Sequence, residues 1–161
     1  MDTRPQSDDI DLGVAAWAAL LRTQAVVVRL LERRVQQTTG LPLSWYDVLL
    51  ELNAAEGRRL RMQQLAERVV LSRTRVSRLV DEMVVAGMVA KGSDPVDGRA
   101  TLAAITARGR QALREAAPVY LAGIREHFSR HLDHDQLRAV RAGLEQVLAA
   151  SGSYPREARG R

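Results

Sequence analysis

Two short helical segments, separated by a three-residue turn, constrain the fold of this chain more than any other feature. Residues 63–69 and 73–86 have apolar side chains at helical spacing, and Val70-Leu71-Ser72 joins them. Helices joined by so short a turn cross steeply and bury a small shared core. The side chains that fit this core are Leu65, Ala66, Val69, Leu71, Val76, Leu79 and Val80. The pattern therefore predicts a helix-turn-helix, with the small Ala66 at the closest approach of the two helices.

The second of these helices has polar and basic residues on the face opposite its apolar side chains. They are Arg73, Thr74, Arg75, Ser77 and Arg78, and Ser72 stands at the N-cap position. Arginine can donate two hydrogen bonds to guanine, and serine and threonine bond bases or phosphate oxygens. A capped helix N-terminus also points free amides at a phosphate. The helix is therefore predicted to enter the major groove of DNA, although an arginine-rich helix on its own could equally be a solvated surface.

The spacing of apolar residues changes after Gly87, which predicts a β-hairpin. Residues 88–91 and 100–105 flank a turn-rich segment, 92–99, that contains Asp-Pro and Asp-Gly. Lys91 and Arg99 are the two basic residues of the hairpin. Shape and charge are read in the minor groove beside a major-groove helix. The hairpin is therefore predicted to contact the same duplex as the second helix.

The distribution of charge favours the same partner. The chain has 24 basic and 19 acidic residues, and nearly all the basic ones are arginine, which suits multidentate binding of phosphate. Residues 58–110 contain eleven basic and five acidic residues, so this third of the chain carries the whole positive excess. No enzyme and no cofactor are predicted, because no Ser/His/Asp order, glycine-rich phosphate loop, paired carboxylates or cysteine can be recognised.

Long apolar helices are predicted on both sides of this basic segment. Residues 12–39 form a helix that is apolar around most of its circumference, and helices over 107–130 and 134–150 follow the hairpin. A helix so long and so apolar needs more partner surface than a small domain offers, so burial against a second subunit is expected. The predicted helix caps are Ser44 with Asp47, Thr106, and Asp133 with Gln136.

The chain is therefore predicted to be mainly α with a small β-wing, a winged helix-turn-helix plus a helical dimerisation lobe. It divides into residues 1–11 as a flexible N-terminus, 12–43 as the N-terminal dimerisation helix, 44–106 as the DNA-binding lobe, 107–150 as the C-terminal dimerisation helices and 151–161 as a basic tail. No uninterrupted apolar run of the length of a membrane span and no signal peptide can be recognised. No membrane partner and a cytoplasmic location are expected.

Residues 44–110 resemble the MarR family of winged-helix regulators, and the resemblance extends more loosely over residues 12–150. Its most specific element is Asp97-Gly98-Arg99-Ala100, followed by Leu102 and Ile105-Thr106. The helix pair within residues 65–81 is also similar to the family's recognition helices. The resemblance implies a transcriptional regulator, most often a repressor, that binds a palindromic operator as a homodimer.

The resemblance also implies roles for two hairpin residues. Arg99 would enter the minor groove at the wing tip, and Asp97 would hold a wing or recognition-helix arginine by a charge-assisted bond. An ordinary Asp-Gly turn with a solvated arginine is the alternative. Two positions depart from the family pattern, because Val70 stands where such turns often carry glycine and Met62 replaces the usual Ser or Thr cap.

Members of the family often release DNA when a small, commonly anionic aromatic molecule binds between the two lobes. Carried onto this chain, the candidate ligand-binding residues are Trp17, Trp45, Tyr46, Asp47 and Arg78. A ligand that prefers one spacing of the two recognition helices shifts DNA occupancy by its differential affinity. The alternative is that these aromatic side chains only fill the core at contacts between lobes or subunits.

Three histidines near the end of the penultimate helix raise a second alternative. His127 and His131 lie four residues apart, and His134 follows, so a zinc site in a metal-responsive regulator is the alternative to solvated histidines. No metal is predicted. A winged-helix scaffold for protein interaction that has lost DNA binding is the remaining alternative, and it predicts few basic residues at 72–78, contrary to the sequence.

Overall fold

The computed structural model describes the backbone of residues 7–69, 73–95 and 97–150 and the side chains of 11–69, 74–95 and 97–150. The helices are α1 (Ser7–Thr39), α2 (Leu43–Ala54), α3 (Met62–Arg68), α4 (Arg73–Val85), α5 (Ala107–His127) and α6 (His134–Ala150), and the strands are β1 (Arg59–Arg61), β2 (Val89–Ser93) and β3 (Thr101–Ile105). Short 3₁₀ turns cover Glu56–Arg58 and Ser129–His131. The mainly helical fold with a small β-wing is therefore confirmed.

The helix-turn-helix core is assembled from the predicted apolar positions of α3 and α4. Leu65, Ala66, Val76 and Val80 are buried, and Val69 and Leu79 pack against them. The connecting residues 70–72, with the predicted N-cap Ser72 and the unusual Val70, lie outside the described residues. Burial at this spacing leaves the opposite face of α4 in solvent.

The hairpin formed by β2, β3 and the loop between them is called the wing below. It is part of a three-stranded antiparallel sheet in the order β1-β3-β2. Val89 of β2 pairs with Ile105 of β3, and Leu60 of β1 pairs with Ala103 on the other side of β3. The sheet therefore connects the wing to the strand that leads directly into α3.

Three boundaries differ from the sequence predictions. Residues 7–11 belong to α1 and are not a flexible N-terminus, while residues 1–6 and the predicted tail 151–161 lie outside the described residues. Ser44 does not cap α2, because the helix begins one residue earlier and the Pro42 carbonyl accepts the amides of Trp45 and Tyr46 at 3.0 Å. α5 contains Pro118 without a break and ends at His127, before the predicted end at residue 130.

The N-terminus of α5 is fastened to the turn between α4 and β2. The Thr106 hydroxyl accepts from the Gly109 amide at 3.0 Å and donates to the Gly87 carbonyl at 2.8 Å, so the predicted cap is confirmed. Gly109 itself is buried so closely that an added Cβ would lie 2.2 Å from the Met88 carbonyl oxygen. The predicted cap of α6 is also confirmed, because the Asp133 carboxylate accepts the amides of Asp135 and Gln136 at 2.9 Å.

Much of α1 and all of α6 expose apolar side chains. No residue of α6 is buried, whereas α1 is buried near its C-terminal end at Leu31 and Val35. Large exposed apolar residues on these helices are Leu12, Val14, Trp17, Leu20, Leu21, Val26, Val28, Val140, Leu144, Val147 and Leu148.

One property of α1 bears on the expectation that the protein has no membrane partner. By length and composition alone, the segment Asp11–Thr39 of α1 could cross a membrane. The sequence prediction counted only uninterrupted apolar runs, and Arg22 and Arg29 interrupt this one. Because helices that pack inside soluble proteins pass the same test, the finding is weak evidence for a membrane.

Candidate nucleic-acid interface

The N-terminal half of α4 presents three of the nine predicted DNA-binding residues to solvent, and a fourth in part. Thr74, Arg75 and Arg78 are exposed, and Ser77 is half-buried. Arg73 is the first residue of the helix, and its side chain lies outside the described ones. Val76 and Val80 occupy the buried face, so helical geometry turns the arginines away from the core.

The wing strands lie beside this helix. The Lys91 ammonium of β2 is 2.6 Å from the Asp81 carboxylate of α4, so this predicted DNA contact also binds the recognition helix. Ser77, Lys91 and Thr101 line one cavity of about 280 Å³, with Met62 and Gln63 at the start of α3. The exposed part of α4 and the wing thus form one continuous surface, on which Arg75, Arg78, Lys91 and Arg99 are exposed.

The wing tip is a tight turn that presents Arg99. The Asp97 carboxylate accepts the Arg99 amide at 3.2 Å, and the Asp97 carbonyl accepts the Ala100 amide at 2.8 Å. The Arg99 side chain is exposed. Asp97 therefore shapes the backbone from which Arg99 projects.

A different aspartate of the hairpin, Asp94, binds an arginine side chain, and the expectation that Asp97 also does so stays a prediction. Arg61 Nε donates to Asp94 Oδ2 at 2.6 Å, and Asp94 is only 7% exposed. Arg61, and not Met62, is also the N-cap residue of α3. Sequence reasoning missed this pair, and its only sequence signal was a second Asp at the start of the turn-rich segment.

The five candidate ligand-binding residues are not brought to one site in the single chain. Trp17 is 60% exposed on α1, whereas Tyr46 is 3% exposed in the core, where its ring lies 4.6 Å from that of Tyr120. Burial, followed by Tyr120 and Asp47, raises the pKa of Tyr46 to about 12, so its hydroxyl stays neutral at physiological pH. Asp47 and Arg78 are exposed.

Trp45 alone among these five borders the larger of the two cavities described here, which has a volume of about 340 Å³. This cavity lies where α1 ends and α2 and α5 begin. Its lining residues are Thr39, Gly40, Leu41, Trp45, Met88, Arg108, Gln111, Ala112 and Glu115.

The three histidines do not form a metal site. Within the described side chains, no group of three His, Cys, Asp or Glu residues has the arrangement needed to hold a metal ion. His131 Nε2 lies 3.0 Å from the Glu126 carbonyl oxygen, which gives the ring a structural contact at the end of α5.

Comparison with known proteins points to the segment that contains α3, α4 and most of the wing. The sequence model of the MarR family matches residues 39–100. No curated protein sequence matches the chain.

Solved structures match over nearly the whole chain. AbsC, a MarR family transcriptional regulator from Streptomyces coelicolor, is 28% identical with a TM-score of 0.80, over 94% of this chain and 100% of that one. Sco3205 from the same organism, solved in complex with DNA, is 27% identical with a TM-score of 0.78, over 98% and 96%. CouR from Rhodococcus jostii RHA1, solved with p-coumaroyl-CoA bound, is 25% identical with a TM-score of 0.69, over 80% and 88%.

Proposed function

We propose that this chain is a DNA-binding transcriptional regulator of the MarR family. It would act as a cytoplasmic homodimeric repressor of a palindromic operator and be released by a small aromatic or anionic ligand. The observation that carries the proposal is the continuous surface formed by α4 and the wing. α4 would lie in the major groove and Arg99 in the adjacent minor groove. The proposed contact residues are Ser72, Arg73, Thr74, Arg75, Ser77, Arg78, Lys91, Asp97 and Arg99.

The apolar surface of α1 and α6 supports dimerisation. Eleven large apolar side chains of these two helices are exposed in the single chain. Because α6 buries no residue of its own, a second copy is the partner that would cover it. We assign residues 12–43 and 107–150 to this dimerisation lobe and 44–106 to the DNA-binding lobe.

The proposed function is tested by selecting double-stranded fragments of the source genome at low ionic strength, where phosphate contacts are strongest. We expect the selected fragments to share an inverted repeat with half-sites about one or two helical turns apart and to bind two protomers. A reporter gene placed behind this repeat should be transcribed more when the regulator is absent. A protein that binds no double-stranded fragment, or whose removal lowers transcription, contradicts the proposal.

Two arginine substitutions should affect DNA binding in different ways. Arg78→Ala should relax the preference at particular base pairs and cost about 1–3 kcal/mol, because a side chain in the major groove reads base edges. Arg99→Ala should weaken binding to all sequences and lower the slope of log affinity against log salt by about one, as expected for a lost backbone or minor-groove contact.

The measurement is a salt titration of the affinity for the selected fragment and for fragments with single base changes. Arg114→Ala, which removes the same charge from the exposed surface of α5, is the matched control and should bind as the parent does. If Arg78→Ala and Arg99→Ala both behave like this control, the assigned contacts are wrong.

An aromatic acid or its thioester should weaken operator binding by about tenfold, a typical coupling between two sites. The support is that CouR is bound to p-coumaroyl-CoA and that Trp45 borders a cavity beside Arg108 in this chain. The measurement is the operator affinity with p-coumarate, p-coumaroyl-CoA or, as control, free CoA. Unchanged affinity with a series of aromatic acids and thioesters would count against the ligand.

A further inference from the structure

We propose that Asp94 and Arg61 are positioning residues that hold the wing at the angle from which Arg99 reaches DNA. The inference rests on the proposed function for its DNA-binding consequence. It assigns no DNA contact to either residue. It assigns them control over the orientation of a loop that does make contact.

The burial of Asp94 is the first support. Among the residues that the structure describes, it is the one charged side chain classed as buried, with 7% exposure. A carboxylate removed from water is costly unless it is paired and hydrogen-bonded. The Arg61 guanidinium pairs with the Asp94 carboxylate at 2.6 Å, and this charge-assisted hydrogen bond holds the two side chains together.

The elements that the pair connects are the second support. Asp94 lies where β2 enters the wing loop, and its amide donates to the Ala100 carbonyl at 2.9 Å across the base of that loop. Arg61 ends β1 and caps α3, and its amide donates to Gln64 Oε1 at 3.0 Å. The pair therefore joins the base of the wing to the beginning of the helix-turn-helix, over 33 residues of sequence.

The described residues of the loop beyond this base, 95 and 97–99, have no apolar packing that could set its direction. Pro95, Asp97, Gly98 and Arg99 are exposed. An added Cβ at Gly98 would meet no atom within 4 Å. Among the described contacts, the polar bonds at the base are those that can set the loop's direction. An ordered loop binds more tightly than a mobile one, because less conformational freedom is lost on binding.

The test uses Asp94→Ala and Arg61→Lys, each in the parent and in an Arg99→Ala background. Arg59→Lys is the matched control, since it makes the same change at an exposed residue of the same strand. The two readouts are the affinity for the selected operator and amide hydrogen exchange at residues 97–101 in the free protein. Thermal unfolding checks that each variant is folded.

We expect both variants to lose about tenfold in affinity in the parent background, and less than about twofold when Arg99 is already alanine, because the contact they position is then absent. Exchange should accelerate at residues 97–101 and stay unchanged in α2 and α5. Equal losses in both backgrounds would overturn the inference, since they indicate a general effect on the fold. So would unchanged affinity or unchanged exchange in the wing.

The two proposals fail separately. If the parent protein binds no double-stranded DNA, the proposed function fails, and hydrogen exchange alone decides whether Asp94 and Arg61 anchor the wing. If the parent binds DNA and the two variants match Arg59→Lys in both readouts, only the positioning role fails.

Discussion

Replacing Gly109 with alanine is expected to lower the free energy of unfolding by about 3 kcal/mol and the melting temperature by about 10 °C. The new Cβ would lie 2.2 Å from the Met88 carbonyl oxygen and 2.9 Å from Ile105 Cγ1. The first of these is a backbone atom, which cannot rotate away as a side chain can. α5 would therefore have to move from the α4–β2 turn, at the junction between the two proposed lobes.

The control is Gly143→Ala in α6, where an added Cβ meets nothing within 4 Å in the chain. Alanine favours helix over glycine by up to about 1 kcal/mol, so this variant should melt at the same temperature or higher. Thermal unfolding of both proteins measures the difference. Equal melting temperatures for Gly109→Ala and the parent would show that the close contact at Met88 is not as tight as described.

Replacing Val147 with glutamate is expected to convert the dimer to a monomer and to lower operator affinity by about a hundredfold or more. Val147 is 66% exposed in the single chain, so the substitution disturbs little of the chain's own core. In a two-fold interface the charge would be buried twice, once from each protomer. A monomer would also lose the gain of about 10² or more that comes from binding two linked half-sites.

Light scattering and operator titration measure this outcome. Gln146→Glu places the same charge on the neighbouring residue of α6, away from the apolar stripe of Val140, Leu144 and Val147, and should remain dimeric. A Val147→Glu protein that is still dimeric would place the subunit contact elsewhere. A parent protein that is monomeric would remove the dimer proposal altogether.

The confirmed sequence predictions share a local cause. The core positions of α3 and α4 follow from helical spacing within a few turns, and the caps Thr106 and Asp133 act on amides two or three residues downstream. Ser44 was the exception among the predicted caps. Pro42, whose ring fixes its backbone angle φ, is the N-cap residue of α2, so the helix begins before Ser44.

In the candidate site, too, features set within one helix could be predicted, and features that depend on distant segments could not. The exposure of Arg75 and Arg78 could be predicted because Val76 and Val80 fix the buried face of their own helix. The pairing of Asp94 with Arg61 could not, because the two residues are 33 positions apart and only the fold brings their side chains together. The burial of Tyr46, one of the candidate ligand-binding residues, could not be predicted either, because it depends on packing against the distant Tyr120.

By itself the sequence determined a helix-turn-helix with a basic face, a hairpin after it and apolar flanking helices, because periodicity, turn residues and caps act over short stretches of chain. Only the tertiary structure decided that β1 joins the wing sheet, that Asp94 is the buried carboxylate and that Gly109 touches the Met88 carbonyl. These features depend on which distant segments meet and at what distance. Many pairings of distant segments are compatible with the same local pattern, and packing of the whole chain selects one.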